Sequence, residues 1–506
     1  MNKIQVAAIM VAAMLEALGA ATAQTMPHQA SQRGSIGTGL GQVELPQGGA
    51  FEPRVEAAVQ YVANIDLAED GEPQIDMAGL EVAPGLYASY ATRTFVGAMD
   101  YSIIGRLWED SDFDDVSHSL SANGQWFTLP EWFSIRGQAS YEDGVIDPRN
   151  GLNYGGIGIF APGNLQEVAA ASLNPILQRR VGDFEFVAQY SYGRSWFLDQ
   201  GKGQPVVGFV ADEDSIDQSA NLGFGTARPD SQISAQVFYD WQRSEFETAL
   251  PFEYERAGVD AGVRLSRSLV LVGDAGRESD LDANTTQGGL DSDFWSAGLR
   301  WEPSDRTLAE ARYGTRFFGD SYLFSASHRA RILEFSASYS EQPTVETRQL
   351  SLGEFDPGQL PPAAPDADFG RFASSPFLAK DARAEVAALG SRTRVSLAGF
   401  RFERDYLRGL LSDEVGTGVV FDATRQLASN LSADFSISYS DYELAGGAPD
   451  MIDSRSSSDY DTQARVRLNR ASGAHFTLGG EAGYLTRSGS SEYDGWWVAL
   501  RATWVP

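Results

Sequence analysis

The chain of 506 residues has no cysteine, so it holds neither a disulfide nor a thiolate metal site. It has only four histidines, His28, His118, His328 and His475, and no two of them have the spacing of metal ligands. No run of about 20 apolar residues follows the N-terminal segment, and mean hydropathy is −0.26, which argues against a helical membrane protein. Basic residues are scarce beside acidic ones. The formal net charge of −30 repels a phosphate backbone and sets nucleic acid aside as a partner. No acidic stretch has the spacing of a defined calcium loop. Neither a catalytic constellation, nor a cofactor motif, nor a metal site can be assigned.

What remains is alternation. Trp295, Ala297, Leu299 and Trp301 alternate with Phe294, Ser296, Gly298 and Arg300. After Glu302-Pro303-Ser304-Asp305-Arg306, the residues Ala309, Ala311 and Tyr313 alternate with Glu310, Arg312 and Gly314. The pattern returns through Tyr322, Phe324 and Ala326, and again through Leu333, Phe335, Ala337 and Tyr339. Period 2 is a strand with two unlike faces, one apolar and one polar. In water the apolar face would form a core. In a membrane it would face lipid, with the polar face lining a lumen.

Segments of this kind run from Val55 almost to the last residue, about 22 in number (range 18–22). Short turns alternate with longer, acidic, Gly-rich connections such as 109–115, 212–214 and 280–293. Gly319-Asp320 is the one short connection expected on the long-loop side. Tyr61, Tyr141, Trp196, Trp241, Trp301, Tyr339, Trp496 and Trp504 fall near segment ends, where amphipathic rings favour a membrane interface. A soluble sandwich gives no reason for alternating loop lengths. A β-helix or a propeller would show a repeat, and none is found. The expected fold is therefore all-β, a closed antiparallel up-and-down transmembrane barrel over residues 51–506. Residues 1–23 read as a signal peptide, with Lys3, an apolar stretch from Ile4 to Leu18 and Ala21-Thr22-Ala23 before Gln24. Residues 24–50 read as a flexible periplasmic lead, too short for a folded plug domain.

The alternation sets a group of charged residues on the inner face: Arg136, Glu185, Asp260, Arg264, Arg300, Glu310, Arg312, Arg316, Glu334, Asp434, Arg465, Arg467, Glu481 and Arg501. They read either as a wall of cross-strand ion pairs or as a charged path for a solute. The connection 342–380 is the candidate gate. Pro357, Pro361, Pro362 and Pro365 stiffen it, and Phe355, Phe369, Phe372 and Phe377 make it too apolar for a freely solvated loop. Of the histidines, His118 lies on a predicted strand beside serines, as in membrane barrels with lipase chemistry. Ser119 and Ser121 are odd steps away and point to the opposite face, so no Ser/His pair forms there.

Tyr61-Val62-Ala63-Asn64-Ile65-Asp66-Leu67, Pro84-Gly85 and Asp100-Tyr101-Ser102 carry a resemblance, as do Trp301-Glu302-Pro303-Ser304-Asp305-Arg306-Thr307, Gly319-Asp320-Ser321-Tyr322 and Ser325 to Glu341. In these the chain resembles the outer-membrane β-barrel proteins associated with the PEP-CTERM/exosortase and exopolysaccharide systems of Gram-negative bacteria. It departs at Ala63-Asn64, where that family has Asp-Asn, and at Val505-Pro506, which follow the aromatic Trp504. The resemblance implies export to the outer membrane through the barrel-assembly machinery, contact with outer-membrane lipid, and association with a secreted polysaccharide and periplasmic export components. It implies no catalytic residue. The expected function is a non-enzymatic pore or conduit for surface-polymer export. The alternatives are a docking barrel without conductance and a barrel enzyme acting on lipid or glycan.

Overall fold

In the computed structural model, residues 48–506 are described apart from 69–70, 114, 130–131, 146–150, 155–156, 161–164, 201–213, 227–230, 248, 282–287, 353–374, 408–412, 445–456 and 490–491. The expected signal (1–23) and nearly all of the expected lead segment (24–50) lie outside the described residues, as does the expected turn at Pro130-Glu131. The strands in order are β1 (Gly48–Val62), β2 (Met77–Ala91), β3 (Phe95–Trp108), β4 (Asp115–Leu129), β5 (Phe133–Val145), β6 (Gly151–Tyr154), β7 (Ile157–Phe160) and β8 (Leu165–Val181). They continue as β9 (Phe184–Gln200), β10 (Ser215–Thr226), β11 (Ile233–Phe246), β12 (Phe252–Arg264), β13 (Leu269–Glu278), β14 (Ser292–Ser304), β15 (Thr307–Arg316) and β16 (Gly319–Arg329). The last are β17 (Leu333–Thr344), β18 (Phe377–Leu389), β19 (Thr393–Tyr406), β20 (Glu414–Ala428), β21 (Leu431–Leu444), β22 (Ser457–Ser472), β23 (Phe476–Ser488) and β24 (Tyr493–Trp504). One short helix, α1 (Glu346–Leu352), follows β17.

Twenty-two of the strands form one antiparallel sheet. β6 and β7 pair separately as a hairpin within the connection from β5 to β8. The sheet closes on itself because β1 pairs with β2 on one side and β24 on the other, from Val55↔Trp504 to Val62↔Trp497. Each barrel strand thus has two neighbours and no edge is left. The strands run from 10 to 17 residues, enough for the 9–11 that a tilted strand needs to cross the apolar layer.

The two faces separate as the alternation requires. Trp295, Leu299 and Trp301 on β14 are each nearly half exposed on the outside, while Phe294 faces inward and is buried. The same outward band carries Leu271, Val259, Val237, Leu222, Val419, Leu397 and Leu500 around the circumference. So much contiguous apolar surface is not stable against water, where soluble monomers rarely expose more than a few hundred Å² in one patch. Against hydrocarbon it costs nothing, and closure satisfies the backbone groups that lipid cannot bond.

Aromatic rings mark the band's limits. At the long-loop end Trp295 meets Tyr313 at 6.1 Å, Tyr313 meets Tyr322 at 5.4 Å, and Tyr61 meets Trp496 at 5.1 Å. At the short-turn end Phe184 stacks on Phe224 at 5.5 Å, and Trp126 is paired with Phe95 across strands. These are the two interfacial girdles of a membrane barrel.

Short turns gather at one end. Gly182-Asp183 and Asp305-Arg306 are two-residue connections, and Gly182 (φ 63°) adopts the left-handed conformation that a tight hairpin needs. The exception on the other end is real but displaced by two residues. Phe317-Phe318 makes the turn, and Gly319 (φ 108°) opens β16 opposite Arg316. The strand alternation stops at Arg316, and the rings of Phe317 and Phe318 meet each other edge-on at 5.1 Å.

Candidate functional site: the lumen and its inward-folded segments

All fourteen charged residues assigned to the inner face alternate in sequence with outward residues of their strands. The structure joins some of them into networks. Arg300 Nε donates to Glu310 Oε2 at 2.6 Å, and Arg312 Nε to Glu310 Oε1 at 2.6 Å. Arg312 Nη1 reaches Asp260 Oδ2 at 2.8 Å. Asp274, which the sequence did not single out, completes this patch by bonding Arg256 and Ser296. Arg316 pairs with Glu278 at 2.8 Å and with the Tyr254 hydroxyl at 2.5 Å. Arg467 meets Glu481 at 2.6 Å, and Arg501 meets Glu56 at 3.0 Å. Glu185 accepts from Gln178 at 2.6 Å, and Asp434 from Asn469 at 3.4 Å.

Others stand apart. Glu334 pairs with Arg329 at 2.9 Å at the short-turn rim, where both are exposed. Arg264 donates to the Arg267 carbonyl at 3.4 Å at that rim. Arg136 and Arg465 join none of the clusters above. Pairs missed from sequence include Arg54–Asp100 (2.6 Å), Arg106 between Glu81 (3.2 Å) and Asp115 (3.2 Å), and Arg487–Asp461 (2.5 Å). Their inward parity was readable. That Arg106 and Arg487 find partners on neighbouring strands, and that Arg54 reaches Asp100 across β2, follows only from register.

Two segments fold back into the barrel at the long-loop end. The first is the β1–β2 connection. Ile65 and Leu67 lie buried against the inward side chains Val62, Trp108, Leu485 and Trp497. Asn64 holds this fold. Its φ is 55°, a conformation that Asn tolerates better than most residues. Its Nδ2 donates to the Ala68 carbonyl at 3.1 Å and to that of Asp494 on β24 at 2.8 Å, and its Oδ1 accepts from Ala68 N at 2.8 Å. Asp76 Oδ1 accepts from Asn64 N at 3.1 Å. The stretch Ala63–Leu67 thus turns inward beside the seam where the barrel closes.

The second segment follows β17, and here the expected loop 342–380 is corrected. β17 extends through Thr344 and β18 starts at Phe377, because the ladder continues from Pro343↔Leu378 to Thr344↔Phe377. Phe377 is a buried strand residue packed edge-on against Tyr406 at 5.6 Å, not a loop residue. Phe355, Phe369 and Phe372 lie outside the described residues. Val345 is fully buried with Phe252, Tyr254 and Leu281. α1 then packs on β8, β9 and β10, none of which borders β17 in the sheet. The segment therefore crosses the lumen.

The docking is polar. Asp217 on β10 has no exposed surface and accepts three hydroxyl hydrogen bonds: Ser215 at 2.8 Å, Ser244 at 2.5 Å and Ser351 of α1 at 2.7 Å. Ser195 and Ser215 share a further hydroxyl contact at 2.7 Å. Arg348 Nη1 donates to the Gln218 carbonyl at 3.1 Å, and Gln242 Nε2 to that of Pro343 at 3.0 Å. On β9, Gly193 leaves the space that α1 fills: a Cβ there would sit 2.9 Å from Ser351 Cβ. The Ser residues of this wall were visible in sequence only as the polar half of ordinary strands.

His118 faces outward, bonded to the Tyr101 hydroxyl at 2.9 Å and edge-on to Tyr141 at 6.2 Å. Ser117 on its inner side is buried. No group of three or more metal-ligating side chains occurs among the described residues.

The closed even-stranded barrel, its lipid-facing band and its unequal ends define the class: the protein is a β-barrel of the outer-membrane type. No family model matches the chain, and no curated protein matches it either. Solved structures similar to the chain include three at low identity. The siderophore receptor PirA from Acinetobacter baumannii is 9% identical, with 91% of this chain and 81% of that one covered and a TM-score of 0.45. A loop-deletion form of OmpT, an outer membrane protein of Vibrio cholerae, is 11% identical over 90% and 99% of the two chains, TM-score 0.31. OccK8 (OprE) of Pseudomonas aeruginosa is 10% identical over 90% and 98%, TM-score 0.34.

Proposed function

We propose that the protein is a non-enzymatic outer-membrane conduit for a secreted surface polymer, with exopolysaccharide the class that the sequence resemblance suggests, and that α1 is its gate. One observation carries the reading. α1 crosses from β17 to the wall of β8–β10 and rests there on Asp217 and a bed of serine hydroxyls. A polyhydroxylated chain offers the same donors as Ser351, so it can replace that contact without leaving the Asp217 carboxylate unpaired. The wall networks neutralise most inner charge in pairs, which suits passage of a long polar chain better than capture of a single ion.

Conductance of the purified barrel in planar bilayers tests the gate. The wild type should pass little current, and deletion of 346–352 should raise it severalfold. Gly193→Leu, whose side chain would occupy the space that α1 fills, should displace α1 and raise the current likewise. A strain lacking the protein should retain polymer. A barrel that stays closed after the deletion, in a strain with normal export, would favour a docking barrel, for which the packed β1–β2 connection is the supporting feature.

A further inference from the structure

The two ends of the barrel differ in charge as well as in loop length. The acid is concentrated in the long connections: Asp66, Glu72 and Asp76 in the first, and Glu109, Asp110 and Asp112 in the second. The short-turn end is arginine-rich instead. Arg93, Arg267, Arg306, Arg331 and Arg392 sit exposed in its turns. Three more arginines lie on strands and share the outward face of the apolar band. Arg179 lies an even number of residues from outward Leu173 and Val181, Arg425 from Val419 and Leu427, and Arg470 from Val466 and Leu468, so each shares their face. All three are exposed, and none has a carboxylate within ion-pair distance among the described residues. Arg179 also lies over the Trp132 ring, 5.4 Å from its centroid, so an interfacial aromatic and a cation share one position.

Unpaired arginines on the lipid-facing side of a strand, next to the girdle, cannot be read as a docking face for a soluble protein. They sit where headgroups sit. An arginine at that depth offers a fork of donors to a phosphate, and its stem lies along the acyl boundary. We infer that the short-turn end binds anionic phospholipid headgroups of its leaflet, with Arg179, Arg425 and Arg470 as the contact residues and the turn arginines adding to the local potential. The acidic mouth opposite would repel the same lipid, so the charge contrast also favours one orientation of the barrel across the bilayer.

The test is tryptophan quenching of the full chain in vesicles containing brominated phosphatidylglycerol or brominated phosphatidylcholine. A basic residue near a membrane surface is worth on the order of a fivefold preference for anionic lipid. The wild type should favour phosphatidylglycerol severalfold at low salt, and the preference should shrink in high salt. The triple variant Arg179→Gln, Arg425→Gln and Arg470→Gln should bind the two lipids equally while keeping the heat-modifiable gel mobility of a folded barrel. Should that variant fail to fold, the single variant Arg470→Gln and the salt titration of the wild type carry the test. Equal quenching in the wild type would overturn the inference. So would a preference that survives the substitutions, or a short-turn end that retains only a soluble acidic peptide.

Discussion

Asn64 shows how much one side chain can decide. Its left-handed backbone and its three side-chain hydrogen bonds fix the β1–β2 connection to itself and to β24. Asn64→Ala removes all three and leaves buried partners unpaired, at about 1–3 kcal/mol. The barrel should remain folded but lose cleavage resistance in residues 63–76, as limited proteolysis would read. Asp217 is the counterpart at the second inward segment. Asp217→Ala strips the acceptor from Ser215, Ser244 and Ser351 at once. The expected result is faster proteolysis near α1 and more frequent channel opening, with the gel mobility of the barrel unchanged. Both side chains were legible in the sequence as polar residues. Neither showed its partners. Ser351 lies 134 residues from Asp217, and Asn64 lies 430 from Asp494.

At the scale of elements the strands were the most legible part. Alternation led to about 22 strands (range 18–22) and 22 form the barrel, because each has one face against lipid and one against a polar lumen. Their ends were less exact. β17 and β18 extend toward each other by several residues, and the turn expected at Gly319 falls at Phe317-Phe318. A ladder continues as long as the partner continues, whatever the local periodicity does. α1 was not expected, since seven residues carry too little pattern to distinguish a helical turn from a loop. The seam between β1 and β24 yields a sharp prediction. Leu500 faces lipid, opposite Val59. Leu500→Pro should abolish the heat-modifiable barrel by interrupting the ladder, while Leu500→Val should leave its yield close to wild type.

For the molecule as a whole the decisive contact is between the outer band and hydrocarbon. Leu299 lies within that band, between Trp295 and Trp301. Leu299→Arg should destabilise the barrel in vesicles by about 2–4 kcal/mol near the midplane. Urea titration of folding into vesicles measures it, and a loss near zero would mean that this face does not meet lipid. The same substitution at Ser338, which points inward on β17 opposite Ser325 and Arg383, should cost far less, because the lumen is polar.

Sequence alone determined the all-β class, an approximate count of barrel strands, and which face of each is oily, because a period of two is written in the order of residues and needs no distant partner. Tertiary structure decided that the first and last strands meet, that charges on neighbouring strands pair, and that Asn64 and Ser351 draw their segments inward. Those outcomes depend on which surfaces reach each other across the closed wall, and distances in space are not carried by spacing along the chain.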